Sequence, residues 1–367
     1  MFNSIKYPIG LDISDTSLKF VQLKKRAGLK FGKLSNKKTI EKLEVNCYNS
    51  IKLPPGLIIN GEIKNQDEVA AQINKLLSGA KGGKITNKNA VAVLPQTQTF
   101  IKLLQIPKTP EEEMREKISE EIVKHVPLIL DEVYIDWQII NRGEKELDVL
   151  VGAAPKKIVD QYIKILEQAS LQPIALEIEA ASICRCLIPE ADKNENDSNA
   201  YLIIDLGANR SSLIVCSQKT VYFTINAPIS GNAITKQIAD SLKIDINKAQ
   251  KAKQICGLDK NKCKGIMEGI LNDMINNLID HIQQAVSFFQ SNYPQKQIQK
   301  IILCGGGGNF LEIDKVLFGY LKIPVIKGNA WIKVEQNKND KYNLLNNDSL
   351  SYATAIGLAL RGFSVNE

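Results

Sequence analysis

The chain has 367 residues, 44% of them hydrophobic and 24% charged, with a formal net charge of +7. That length is enough for two lobes with their own cores, and the proportions are those of a soluble globular protein, which excludes a disordered or multispanning membrane chain. Lysines are spread along the whole length without interleaved aromatics, so nucleic acid is excluded as a partner and the mild positive charge suits an anionic membrane surface or an acidic partner.

No long apolar span occurs, and Met1-Phe2-Asn3-Ser4-Ile5-Lys6 is too short and polar for a secretory leader, so an intracellular chain is expected. The seven Cys, at positions 47, 184, 186, 216, 256, 263 and 304, have only His125 and His281 as possible co-ligands. Their spacing is not that of a zinc site, and they read as reduced, mostly buried thiols. Gly82-Gly83-Lys84-Ile85 lacks the upstream Gly and the following hydroxyl of a Walker loop.

In chain order, the first element is a hairpin. Ile9-Gly10-Leu11 leads to Asp12, then to the turn Ser14-Asp15-Thr16-Ser17 and a returning strand over residues 18–23. Backbone N–H groups in such a turn converge on phosphate oxygens, and an acid at its mouth holds water on an accompanying Mg²⁺. Asp12, Ser14, Asp15, Thr16, Ser17 and Lys19 are therefore candidate phosphate contacts. The basic stretch over residues 24–38 reads as a solvated loop, and residues 53–63 as an extended segment with turns. A helix is predicted over 67–77, with Val69, Ile73, Leu76 and Leu77 on one face and a stop at Ser78-Gly79; Ala90-Val91-Ala92-Val93-Leu94-Pro95 is a buried strand.

From residue 97 to 172 the order becomes strand (99–104), helix, strand (133–140), strand (147–154) and helix (155–169), which reads as a compact, separately packed module inserted into the first lobe. Its first helix is opened by Thr109-Pro110 and predicted to run to about His125. A strand and helix follow over 173–187, then a polar linker over 189–199.

The second lobe opens by repeating the hairpin. Strands over 201–204 and 213–216 flank Asp205 and a turn, which makes Asp205, Gly207, Ala208, Asn209, Arg210 and Ser211 a second set of phosphate contacts. Two such hairpins imply two similar lobes facing each other across a cleft, with Asp12 and Asp205 both reaching Mg²⁺ through water. A helix starts at Gly231, and residues 274–293 form a long amphipathic helix that packs on the second lobe's sheet. The strand Ile301-Ile302-Leu303-Cys304 ends in Gly305, Gly306, Gly307 and Gly308, a side-chain-free turn on which a base or ribose can lie. The last helix begins at Asp348-Ser349-Leu350-Ser351.

Two phosphate hairpins and a later glycine turn resemble the actin and sugar-kinase superfamily. Within it, segments along the whole chain are similar to the PilM family of type IV pilus assembly proteins, which shares a branch with the division protein FtsA. They include Gly10-Leu11-Asp12-Ile13-Ser14, Pro54-Pro55-Gly56, Asn60-Gly61-Glu62-Ile63, Val151-Gly152-Ala153-Ala154-Pro155-Lys156, Leu176-Glu177-Ile178-Glu179-Ala180, Ile204-Asp205-Leu206-Gly207-Ala208 and Ala355-Ile356-Gly357-Leu358-Ala359-Leu360-Arg361. The resemblance implies an α/β, actin-like (ribonuclease H-like) two-lobed nucleotide-binding fold with an FtsA-type inserted subdomain in the first lobe. Its divisions would be 1–96 (first lobe), 97–172 (inserted subdomain), 173–198 (first lobe and hinge), 199–235 (second lobe), 236–296 (its cap), 297–347 (second lobe) and 348–367 (a helix returning to the first lobe).

The resemblance also implies ATP and Mg²⁺ as cofactors. In relatives an Ala-Glu-x-x-Lys arrangement contacts the nucleoside; Lys253 fits it, while Gln250 replaces the Glu and keeps only a neutral amide for the ribose. Glu177 and Glu179 lie near the hinge, where active relatives orient the attacking water. Asn209-Arg210-Ser211-Ser212 stands where relatives carry Thr, so weak or absent hydrolysis is expected. The implied role is a cytoplasmic scaffold, peripheral to the inner face of the cytoplasmic membrane. It would bind the N-terminal cytoplasmic peptide of a PilN-like inner-membrane protein in a groove between first lobe and module, and connect it to the pilus motor ATPases. Alternatives are a small-metabolite kinase, for which no substrate base motif is found, a chaperone, which needs a client domain, and an FtsA-like filament former, whose terminal membrane helix has no match in residues 361–367.

Overall fold

Alternating apolar residues build β1 (Ile9–Ile13), and the chain turns back into antiparallel β2 (Ser17–Lys25), with Asp12 opposite Lys19. The computed structural model describes residues 7–26, 43–124, 129–189, 199–218, 220–335 and 349–364; most of the basic stretch after β2, His125 and the linker over 190–198 lie outside them. β3 (Leu43–Lys52) pairs with β2. Asn46, Asn49 and Ser50 interrupt its apolar alternation and hide it in the sequence, but Asn49 is buried because its Nδ2 donates to Leu76 O at 2.8 Å. β4 (Ile58–Ile59) and β5 (Glu62–Ile63) form a tight hairpin about Asn60-Gly61, and α1 (Gln66–Ser78) follows, capped by Asn65 and ended at Gly79. β6 (Lys81–Gly82) joins β3, and β7 (Asn89–Leu94) lies parallel to β1.

The inserted segment supplies β8 (Phe100–Pro107), α2 (Met114–Ile122), β9 (Val133–Arg142), β10 (Glu146–Pro155) and α3 (Lys156–Gln168). β11 (Gln172–Ile178) and α4 (Glu179–Leu187) follow. Then come β12 (Asn199–Leu206), β13 (Ser211–Ser217), β14 (Thr220–Ala227), α5 (Gly231–Leu242), α6 (Ile246–Cys256) and α7 (Ile266–Asn292). β15 (Gln297–Cys304), α8 (Ile313–Leu321), β16 (Val325–Lys327) and α9 (Ala353–Ser364) complete the described chain.

Two compact units result, one of residues 1–98, 157–189 and 329–367, the other of 99–156 and 190–328. The first holds a six-stranded sheet in the order β11-β7-β1-β2-β3-β6, the second an eight-stranded sheet in the order β16-β15-β12-β13-β14-β8-β10-β9. In the second unit Leu278, Ile282 and Phe289 of α7 share a core with Leu202, Ile204, Leu213 and Val215 of the central strands, the packing expected of that helix.

The separately packed module does not form as expected. It keeps a small core of Leu104, Ile106, Met114, Ile118, Leu147 and Val149. Its strands, however, continue the second unit's sheet, because β8 lies beside β14 with Lys102 opposite Phe223. A strand edge left open by one pairing takes up the next available edge. Helix α3 goes instead to the first unit, where Tyr162 is fully buried and its hydroxyl donates to Gly61 O at 3.1 Å. Lys157 Nζ reaches Glu62 at 2.8 Å, and together with Lys64 it holds that carboxyl down to about 2.

The thiol expectation holds for Cys47, Cys184, Cys186, Cys216 and Cys304, all free and buried. It fails for Cys256 and Cys263, which form a disulfide with Cα atoms 5.8 Å apart. The cause is local: Gly257, at φ +53°, reverses the chain at the end of α6.

Helix α9 crosses both β1 and α4 at backbone distance. A Cβ at Gly10 would strike Ala355 O and Ala359 N, and one at Gly357 would strike Ser182 O. Gly357→Ala should therefore cost about 3 kcal/mol in urea unfolding, since neither backbone can yield without lifting α9. Gly319→Ala, in α8 with open space around it, should be neutral or stabilise by up to about 1 kcal/mol. Equal stability of the two variants would contradict the close packing.

Candidate functional site

The second unit gathers its predicted residues into one place. β12 ends at Asp205-Leu206, opposite Ser212 and Ser211 of β13, and on its other side β15 runs parallel with Cys304 level with Asp205. The glycine turn is thereby set against the hairpin mouth. At Gly305, φ +72°, a Cβ would run into Asp205 Oδ1 and Leu206 O, and one at Gly307 would stand 2.8 Å from Leu206 Cβ. Gly306 faces open space and Gly308 is buried.

The N-terminus of α5 leans on the same turn. Gly231 N donates to Gly207 O at 2.9 Å and Asn232 N to Ala208 O at 2.8 Å. Asn232 Nδ2 donates to Asn209 Oδ1 at 2.7 Å, with Ala208 and Asn209 exposed at the tip and Arg210 beside them half-buried. From α6, Lys253 Nζ donates to Gly231 O and to Thr235 Oγ1, each at 2.8 Å, and Thr235 Oγ1 lies 2.7 Å from Gln250 Oε1. Burial lowers the pKa of Lys253, and its described hydrogen bonds go to neutral oxygens. Ser211 Oγ is buried with no hydrogen-bond partner. A desolvated cation, an orphaned hydroxyl and a glycine-lined turn are the complement of a phosphorylated ligand. Among the described residues no three His, Cys, Asp or Glu side chains converge.

In the first unit Asp12 is 5% exposed, with Lys19 Nζ at 3.3 Å. The hydroxyls of the turn bond within it: Ser14 Oγ donates to Ser17 O at 2.9 Å and lies 3.1 Å from Ser17 Oγ. Thr16 O accepts from Leu53 N at 2.9 Å. Asp15 departs from the phosphate role read for it. Its carboxylate accepts from Asn60 N at 3.1 Å and Gly61 N at 3.0 Å, which pins the left-handed Asn60-Gly61 turn to the hairpin.

Glu177 also differs from its sequence reading. It is 5% exposed, and Arg185 grips it with two bonds of 2.7 Å while Arg361 of α9 takes Oε1 as well. Arg185 further donates to Gly357 O at 2.9 Å. A carboxylate saturated by two guanidinium groups cannot orient water; it ties β11, α4 and α9 together. Glu179 occupies the first turn of α4, an acid at the positive end of a helix.

Residues 10–363 match the family model for the type IV pilus assembly protein PilM. The chain belongs to the PilM family. Among solved structures, this PilM-family chain is similar to one from a PilM-PilN type IV pilus biogenesis complex, at 24% identity and a TM-score of 0.78 over 98% of this chain and 99% of that one. It is also similar to MreB5 of Spiroplasma citri bound to AMPPNP, at 13% identity and a TM-score of 0.53 over 99% and 98%. EutJ, an ethanolamine utilization protein of Carboxydothermus hydrogenoformans, matches at 12% identity and a TM-score of 0.50 over 98% and 91%. The fold is thus the actin-like two-lobed α/β fold that the paired hairpins led one to expect.

Sequence reasoning missed Asn232 and Thr235, although Ser230-Gly231-Asn232 is a readable helix start, and it missed Arg185, eight residues from Glu177, and Arg361, 184 residues away. Glu177→Gln should lower unfolding stability by about 2–3 kcal/mol, because two guanidinium groups lose their counter-charge. Chemical denaturation checks this; an unchanged midpoint would return Glu177 to the candidates for chemistry.

Proposed function

We propose that this chain is a nucleotide-dependent scaffold of the type IV pilus assembly platform, cytoplasmic and peripheral to the inner face of the membrane. ATP is held with Mg²⁺ by the two hairpins, Asp12 and Asp205 reaching the metal through water. The phosphates meet Ser211 and the Gly207–Arg210 turn, and the nucleoside meets the Gly305–Gly308 turn, Gln250 and Lys253. The observation that carries this reading is Lys253, a half-buried cation whose described hydrogen bonds go to neutral oxygens at the start of α5, which itself rests on the Gly207–Ala208 turn. Nucleotide-bound MreB5 of the same fold supports it.

Hydrolysis is slow or absent in this reading. Glu177 is sequestered, and Glu179 is left as the acid nearest the role of positioning water. In the nucleotide-bound state the chain binds the N-terminal cytoplasmic segment of a PilN-like inner-membrane protein, as the PilM of the similar complex is found with PilN, and so connects the membrane partner to the motor ATPases. No described helix is long and apolar enough to cross a membrane, which agrees with attachment through a partner. Strand β9 supports a docking role: it ends its sheet, and its Tyr134 and Ile140 are 48% and 38% exposed.

Calorimetric titration of Mg-ATP tests the nucleotide site. Lys253→Met and the pair Asp12→Ala with Asp205→Ala should each weaken binding at least about tenfold, the loss of one charge-assisted contact. Affinity equal to that of the unaltered chain, or no binding by any of them, would count against the site. Titration of the partner's N-terminal peptide, with and without Mg-ATP, tests the scaffold. Tyr134→Asp with Ile140→Asp should weaken capture about tenfold or more while leaving the melting temperature within a few degrees. Undiminished capture would place the peptide elsewhere.

A further inference from the structure

Helix α6, which carries Gln250 and Lys253, is fastened at its far end. Gly257 N donates to Lys253 O at 3.1 Å, and Leu258 N donates to Leu311 O at 2.9 Å. Gly257 lies so close that a Cβ there would overlap the Cβ of Leu311. Leu311 comes just after the short turn Gly306–Asn309, so the end of α6 and the segment leaving the glycine turn meet at one point. The Cys256–Cys263 disulfide closes the loop that holds this junction.

The two sulfurs have unlike surroundings. Cys256 is 2% exposed, whereas Cys263 is exposed in the run Lys260-Asn261-Lys262-Cys263-Lys264, among lysines that are exposed as well. Cys263 and Lys264 are held in the left-handed region, at φ 48° and 56°, a conformation that residues with a Cβ adopt only under constraint. An exposed cysteine flanked by Lys262 and Lys264, with the backbone held left-handed, is the setting in which thiol–disulfide exchange is fast, since neighbouring cations favour an incoming thiolate. Lys260 is taken up by Glu268 at 2.9 Å. Structural disulfides are rare in reducing compartments, where those that do form are usually transient.

We infer that Cys256–Cys263 is a reversible redox staple that fixes the nucleoside-side helix of this chain, with low-molecular-mass thiols of the glutathione class as its reductant. The thiolate of the first reductant molecule attacks Sγ of Cys263, the S–S bond breaks, and Cys256 leaves as a thiolate that takes up a proton. A second thiolate attacks the reductant's sulfur in the mixed disulfide and frees Cys263. One protein disulfide and two thiols thus become two protein thiols and the reductant's disulfide. Reduction releases the 257–262 loop, and the last turn of α6 frays. The link to ligand binding rests on the nucleotide reading above; the staple itself does not.

The test equilibrates the full chain in glutathione buffers from fully reduced to mostly oxidised, traps thiols with iodoacetamide under native conditions, and reads labelling by mass spectrometry. Cys263 should gain label on reduction and lose it on reoxidation, while buried Cys47 and Cys186, pushed up to about 11 and about 12, stay unlabelled. Hydrogen exchange over 246–263 should speed up about tenfold on reduction, with the sheet unchanged. Cys263→Ser should exchange at the fast rate in every buffer; should it fail to fold, the titration of the unaltered chain decides alone. A pair that never forms at any glutathione ratio, or exchange rates indifferent to reduction, overturns the staple. Mg-ATP affinity, read in both states, should fall about threefold or more on reduction. Equal affinity overturns the coupling, and no binding in either state alongside altered exchange overturns the nucleotide reading while the staple stands.

Discussion

The second unit depends on one close approach: the backbone of Gly305 lies directly against Asp205 and Leu206. Parallel neighbours β12 and β15 end at the same level, and a side chain on the turn after β15 would push the acid out of the hairpin mouth. With none there, a carboxylate, the end of the hairpin and a bare turn occupy one small region. The N-terminus of α5 then rests on the hairpin through Gly231 and Asn232, and Lys253 completes the arrangement from α6. Each of these pieces is ordinary; together they leave a half-buried cation on neutral oxygens and, on β13, a buried hydroxyl without a hydrogen-bond partner.

Most of the central strands were legible because their apolar residues run on or alternate without interruption, as in Ile9-Gly10-Leu11 and Tyr201-Leu202-Ile203-Ile204. β3 was not, because Asn49 is buried, and Asn46 is held, by hydrogen bonds that only the folded chain supplies. β14 and α8 were likewise passed over, the first a mixture of aromatic and polar residues, the second a short helix with Phe318 and Tyr320 turned outward. The inserted segment was read in the right order of elements yet assigned the wrong packing. Element order says nothing of which open edge a strand will find, and β8 found β14.

The site divides along a similar line. A turn that local chemistry dictates, such as the glycine turn after β15, could be picked out from sequence alone. Acids could not be sorted. Asp12, Asp15 and Glu177 look alike as letters, but one faces Lys19, one clamps a left-handed turn and one is locked by two arginines. The arginines that decide the last case come from α4 and α9, the second of them 184 residues away from Glu177. Long-range partners of this kind leave no local pattern to read.

Helix α9 lies on β1 so closely that glycines are required at Gly10 and Gly357. β1 is therefore completed by a helix far along the chain, and more than 300 residues must emerge after it before the first unit can close. Until then, the apolar face of β1 stays open to water while the continuous stretch from β12 to β16 is already able to fold. Nascent chains stalled short of α9 should thus be the form of this protein most dependent on chaperones, and the second unit the part a cell can first count as finished.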